Sequence, residues 1–224
     1  MKIALIYAGP YRASEEIKNN HQECFGGEYD IYVSCFEHYL DDWKNSEWPV
    51  KEYFVTPEVD FKSTNWSNYR DDAPGQSGFW QFWNLKSVID KISDDYDFII
   101  KSRNDIIFNK KFIFDKNILK KNVLYSPEKS FHRNSWDEHT WVNDEFYIGC
   151  SNTMKVVSKF VTEYYKTPTR HQKNYPHASN ESQLRIHLKE NGIEVEKIYE
   201  FEYRKDHYGV GSPSGYVKFQ LEKI

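Results

Sequence analysis

The chain belongs to the α/β class, with a mainly parallel central sheet and helices on both faces. Short, continuous apolar runs at 3–7, 29–36 and 97–102 have the character of strands buried on both sides. Between and after them, Phe82, Leu85, Ile89 and Ile92, and later Met154, Val157, Val161 and Tyr164, recur at helical spacing. Strands and helices therefore alternate with short connections, which calls for a sheet covered on both faces.

The first strand, Ile3 to Tyr7, runs into the tight turn of Ala8-Gly9-Pro10. Ser14 is placed to cap a helix reaching about Cys24. Tyr29 to Phe36 forms the second strand, and Lys51 to Val55, closed by Thr56-Pro57, the third. The polar, punctuated stretch from Phe61 to Gly78 reads as a long loop, of the kind that is commonly functional. A helix from about Phe79 to Ile92 carries its apolar stripe onto the sheet, and Asp97 to Ser102 returns as a buried strand. Asn122 to Ser126, ended by Pro127, and Glu145 to Cys150 are further strands, separated by a loop rich in His and Trp at 131–142. A helix starts near Asn152, and another spans Glu181 to Asn191, stopped by Gly192. Ile193 to Ile198 is expected to be the last strand, and the Gly-rich tail from Arg204 to be flexible.

At 224 residues the chain has room for one substantial core, and a single domain over 1–224 is expected. A net charge of −4, with both signs dispersed, argues against a nucleic-acid partner. No run approaches the ~18 apolar residues of a membrane span, so no membrane span is expected, with peripheral contact at most. The N-terminal apolar run is too short for a signal peptide, and Cys24, Cys35 and Cys150 lack metal-ligand spacing and read as buried thiols; a cytoplasmic protein is expected.

Ligands of such sheets sit beyond the carboxyl ends of the strands. That rule brings Gly9, Pro10 and Arg12, the end of the second strand, and Arg103-Asn104-Asp105 together in space. Small residues let backbone approach a ligand closely, and an arginine fork matches a phosphate. A turn carrying a solvated Arg12, and an ion pair between Arg103 and an acidic neighbour, are the plainer readings of the same residues.

Certain segments also resemble a known group when taken in order. They are Ile3 to Arg12, Asp30 to Ser34, Gln81-Phe82-Trp83-Asn84-Leu85, and Tyr96 through Arg103-Asn104-Asp105. The set is similar to small GT-A-fold glycosyltransferases, including the WavE-type lipopolysaccharide and polysaccharide group and compact viral enzymes of that fold. The resemblance covers about residues 1 to 200. It implies transfer of a sugar from a nucleoside-diphosphate sugar donor to a hydroxyl of a glycan or glycoconjugate acceptor. It also implies a Mn2+ or Mg2+ ion on the diphosphate, held through an Asp-x-Asp motif. Here Arg103 stands where the first Asp belongs, which leaves Asp105 as the metal ligand, with His207 as a second candidate. Gly9, Pro10, Arg12, Arg103 and Asp105 would contact the donor. Asp144 or Glu181 would take the acceptor proton, although an acid at the start of a helix, as Glu181 is, also serves the helix dipole. A carbohydrate-binding module without catalysis, using the aromatic loops, and a sugar nucleotidyltransferase are the alternatives.

Overall fold

The computed structural model describes residues 1–25, 29–58, 76–108, 112, 119–127, 142, 145–166, 180–198, 200–205 and 217–220. The strands are β1 (Ile3–Ala8), β2 (Tyr29–Cys35), β3 (Val50–Val55), β4 (Phe98–Ser102), β5 (Ile106–Phe108), β6 (Val123–Pro127), β7 (Phe146–Cys150), β8 (Glu194–Ile198), β9 (Glu200–Lys205) and β10 (Val217–Gln220). Among the described residues the helices of more than one turn are α1 (Glu15–Phe25), α2 (Leu40–Asn45), α3 (Gln76–Ile92), α4 (Ser151–Lys166) and α5 (Asn180–Glu190).

The main sheet has the order β3-β2-β1-β4-β7-β6-β8. β3, β2, β1 and β4 run parallel, as do β6 and β8, but β7 is antiparallel to both β4 and β6. The sheet is therefore mixed but mainly parallel, as expected: β7 alone runs against the other six strands, and β3-β2-β1-β4 form an unbroken parallel half. The direction of β7 could not be foreseen, because all five of its residues are buried. A strand covered on both faces shows the same apolar run whichever way it pairs.

Period-two alternation sorts β1 between the two faces. Ala4 and Ile6 pack with α3, α4 and α5, whereas Ile3, Leu5 and Tyr7 pack with α1, α2 and β5. The second of these faces is an aromatic core, with Trp43 and Trp48 buried against Tyr7. Ser14 caps α1, its Oγ accepting from the Ile17 N–H at 3.4 Å. Gly149 lets α4 close on β7, since a Cβ there would lie 2.9 Å from Thr153 Cγ2. Gly192, at φ 71°, ends the turn after α5. All three cysteines are buried and free.

Ile193 to Ile198 is not the last strand. β9 comes after it and pairs antiparallel with both β5 and β10, forming a small second sheet. The charged residues of β9, Glu200, Glu202, Arg204 and Lys205, disguise it as surface chain. Among the described residues no helix is long and apolar enough to cross a membrane.

Candidate functional site

In the parallel half the chain leaves β1 for β2 and β3 on one side, then crosses to β4 on the other. The strand order thus reverses between β1 and β4, and in open α/β sheets the ligand crevice lies beyond the carboxyl ends of two such strands. Gly9 to Arg12 comes directly after β1 and Arg103 to Asp105 directly after β4, so both segments emerge at this crevice.

The turn after β1 is held on several sides. Gly9 sits at φ 118°, a conformation that side chains other than glycine's rarely allow. Its N–H donates to the Ser34 carbonyl at 2.8 Å, and its own carbonyl accepts from Trp43 Nε1 at 2.9 Å. Asn104 clamps the next part of the turn. Its Nδ2 donates to the Pro10 carbonyl at 2.9 Å, and its Oδ1 accepts from the Arg12 N–H at 2.8 Å. One buried carboxamide therefore joins the two segments and sets where the Arg12 side chain begins.

The charges are arranged around Asp105. Arg103 Nε donates to Asp105 Oδ1 at 2.7 Å, and Arg103 Nη2 donates to Asp105 Oδ2, a two-pronged pair. Arg12 Nη1 lies 3.8 Å from Asp105 Oδ2. Asp105 is only 2% exposed at its side chain, while Arg12 is 48% exposed. Arg103 also reaches Glu145, with Nη1 at 3.9 Å from Oε1 and its backbone N–H donating to the Glu145 carbonyl at 2.9 Å. Two guanidinium groups and two buried carboxylates thus share the crevice floor, and Arg12 is the member that faces solvent.

Beneath this floor, His21 Nε2 lies 2.6 Å from the Ile106 carbonyl, and Nδ1 lies 2.6 Å from Tyr7 Oη. A carbonyl can only accept, so Nε2 carries the proton and the Tyr7 hydroxyl donates to Nδ1. Burial lowers the His21 pKa to about 4, against the partial support of the Ile106 carbonyl and the Asp105 charge. His21 is neutral at physiological pH and serves as a core hydrogen-bond bridge.

Toward β3 the same edge carries a second polar layer. The hydroxyls of Ser34, Thr56 and Ser87 meet at 2.8 to 3.2 Å. Asn84 is buried, and its Oδ1 has no hydrogen-bond partner among the described residues. Lys101, fully buried on β4, donates to Gln81 Oε1 at 2.6 Å and lies 5.6 Å from the centre of the Tyr147 ring. A lysine directly after the apolar run Phe98-Ile99-Ile100 is the visible signal for this layer, as is an asparagine on the buried stripe of α3.

No protein-family model matches the chain, and no curated protein matches it. Of the expected site residues, Gly9, Pro10, Arg12, Arg103 and Asp105 come together at the crevice. Asp144 and His207 lie outside the described residues, as do most of the loops at 61–78 and 131–142. Glu181 falls in the first turn of α5, and its side chain is likewise outside them. The sequence placed Asn104 at the site as the middle of Arg103-Asn104-Asp105 but gave it no role of its own, and Glu145 was not among the expected residues.

Asp105 does not fit a divalent cation in this arrangement. Both of its oxygens accept from Arg103, and a second guanidinium stands within 4 Å, so an incoming ion would have to displace Arg103 and sit among positive charges. Among the described residues no cluster of three or more His, Cys, Asp or Glu side chains is grouped to hold a metal.

Proposed function

We propose that this chain is a glycosyltransferase that binds a nucleoside-diphosphate sugar in the crevice between β1 and β4 and transfers the sugar to a hydroxyl of a glycan acceptor. The observation that carries the reading is the pair Arg12 and Arg103 converging on the point where the strand order reverses. Such a crevice is where open α/β sheets take their ligands, and two guanidinium groups suit a diphosphate. As the bond from the sugar to the diphosphate breaks, negative charge grows on the leaving phosphate, and fixed cations stabilise that charge more than they stabilise the intact donor. The acceptor hydroxyl must lose its proton to a carboxylate as it attacks. Asp144, next in the chain to Glu145 on the crevice floor, is the preferred base, with Glu181 as the second candidate. A cytoplasmic site of action belongs to the same proposal, and the three free, buried thiols are in keeping with a reducing compartment.

The test is a thermal-shift panel of nucleoside diphosphates and nucleotide sugars, run with manganese and again with a chelator. A ligand that binds only the folded chain raises its melting temperature by mass action. At least one nucleotide should stabilise the protein in a dose-dependent way. Failure of every nucleotide in both buffers would contradict the proposal.

A further inference from the structure

We infer that the donor's diphosphate is held directly by Arg12 and Arg103, with Asp105 as the residue that positions this pair, so that donor binding does not require a divalent cation. The inference rests on the glycosyltransferase reading and concerns how that site meets its anion.

Asp105 is where a metal would be expected from the resemblance to GT-A enzymes, and it is the residue whose surroundings argue against one. Its carboxylate receives the two-pronged Arg103 pair and lies within 4 Å of Arg12. It is almost wholly buried, so it has little exposed surface to offer an ion that keeps several of its own waters. Placing a cation there would break a buried ion pair and leave Arg103 without its main partner, a change that is strongly unfavourable.

The same geometry suits direct anion binding. Asp105 fixes the plane of the Arg103 guanidinium, and Asn104 fixes the backbone of Arg12. An arginine whose position is set in advance loses less freedom when it grips a phosphate. Arg12 is half exposed at the mouth of the crevice, where an incoming diphosphate arrives first. Glu145 and Asp105 offset the positive charge of Arg12 and Arg103, which lets the two guanidinium groups stand close together.

Isothermal titration calorimetry of the whole chain decides the matter, with UDP, GDP, CDP and ADP as probes, each in excess EDTA and in excess manganese. For the nucleotide that binds, the two dissociation constants should agree within about threefold, a difference of under ~1 kcal/mol. Arg12→Ala should weaken binding about tenfold or more in both buffers, and Arg12→Lys should recover part of it, because a single ammonium replaces the fork. Arg12 is a surface side chain, so these variants are expected to fold, and their melting temperatures check this. Binding seen only with manganese would overturn this inference and leave the transferase reading standing. Undiminished binding by Arg12→Ala would also overturn it. Absence of binding in both buffers would overturn the transferase reading and this inference with it.

Discussion

The two ends of the parallel half-sheet each hold a carboxylate against cations, yet they are built differently. At the carboxyl end Asp105 is 2% exposed, gripped by Arg103 on two prongs and approached by Arg12. At the amino end Asp30 is 40% exposed. It accepts from Lys51 Nζ at 2.6 Å and from the Tyr96 hydroxyl, beside an open cleft lined by Lys2, Tyr29 and Tyr32. Lys51, itself 52% exposed, hangs its ammonium over the edge of the Tyr32 and Tyr96 rings. The lower group is a solvated cluster of long side chains, of the kind that water and salt largely screen. The upper group has a buried carboxylate, held on two prongs by Arg103 and tied to the turn after β1 through its neighbour Asn104. The number of ion pairs does not tell the two ends apart; burial and the planar fork of arginine do.

The largest effect is expected at Asp105. Asp105→Ala removes the two-pronged partner of Arg103 and should cost about 3–5 kcal/mol, read as a lowered urea midpoint. A loss below about 1 kcal/mol would mean the upper group is as well solvated as the lower one.

Acid sharpens the contrast next. His21 titrates at about 4 in the folded chain and near 6.5 when unfolded, so between those values the unfolded chain binds more protons. Its contribution is intact above about pH 6.5 and is lost as pH falls toward 4, a total of ~3 kcal/mol. Chemical denaturation across that window should show the slope, and His21→Gln, which keeps a donor for Ile106 and an acceptor for Tyr7, should flatten it. At the lower end the hydrogen bond from Lys51, then that from Tyr96, holds the Asp30 carboxyl below its ordinary range. That group is ionised throughout the His21 window, and its contribution is lost only at lower pH.

The smallest effect belongs to Lys51. Lys51→Met removes the exposed partner of Asp30 and should leave the urea midpoint unchanged within error at physiological salt. A clear destabilisation that persists in high salt would show that the lower cluster is more than a solvated group.

Much of this was legible in the residues, and the remainder was hidden for physical reasons. The apolar runs of β1, β2 and β4 and the stripes of α3 and α4 announce themselves, because burial on a regular element leaves a period. The meeting of Gly9 to Arg12 with Arg103 to Asp105 derives from the carboxyl-edge rule once a parallel β1 and β4 are granted. The pairing of Arg103 with Asp105 was open as an alternative, since residues two apart in extended chain share a side. The direction of β7 left no trace, and β5, three residues long, is too short for a period to register. The clamping role of Asn104 was hidden because a polar residue in a turn looks ordinary until its partners, Pro10 and Arg12 more than ninety residues away, are known. His21 could have been found, since it lies four residues from both Ile17 and Phe25 on the buried stripe of α1.

Amide hydrogen exchange distinguishes a nucleoside diphosphate bound at the carboxyl edge, as proposed, from one bound at the amino edge. The chain is compared with and without whichever nucleoside diphosphate stabilises it best. Slower exchange at residues 9–12 and 103–105, with no change at 29–32, 50–52 and 96, is the expected result. Protection confined to the amino-edge segments, or absent from the crevice while the ligand is bound, would contradict it.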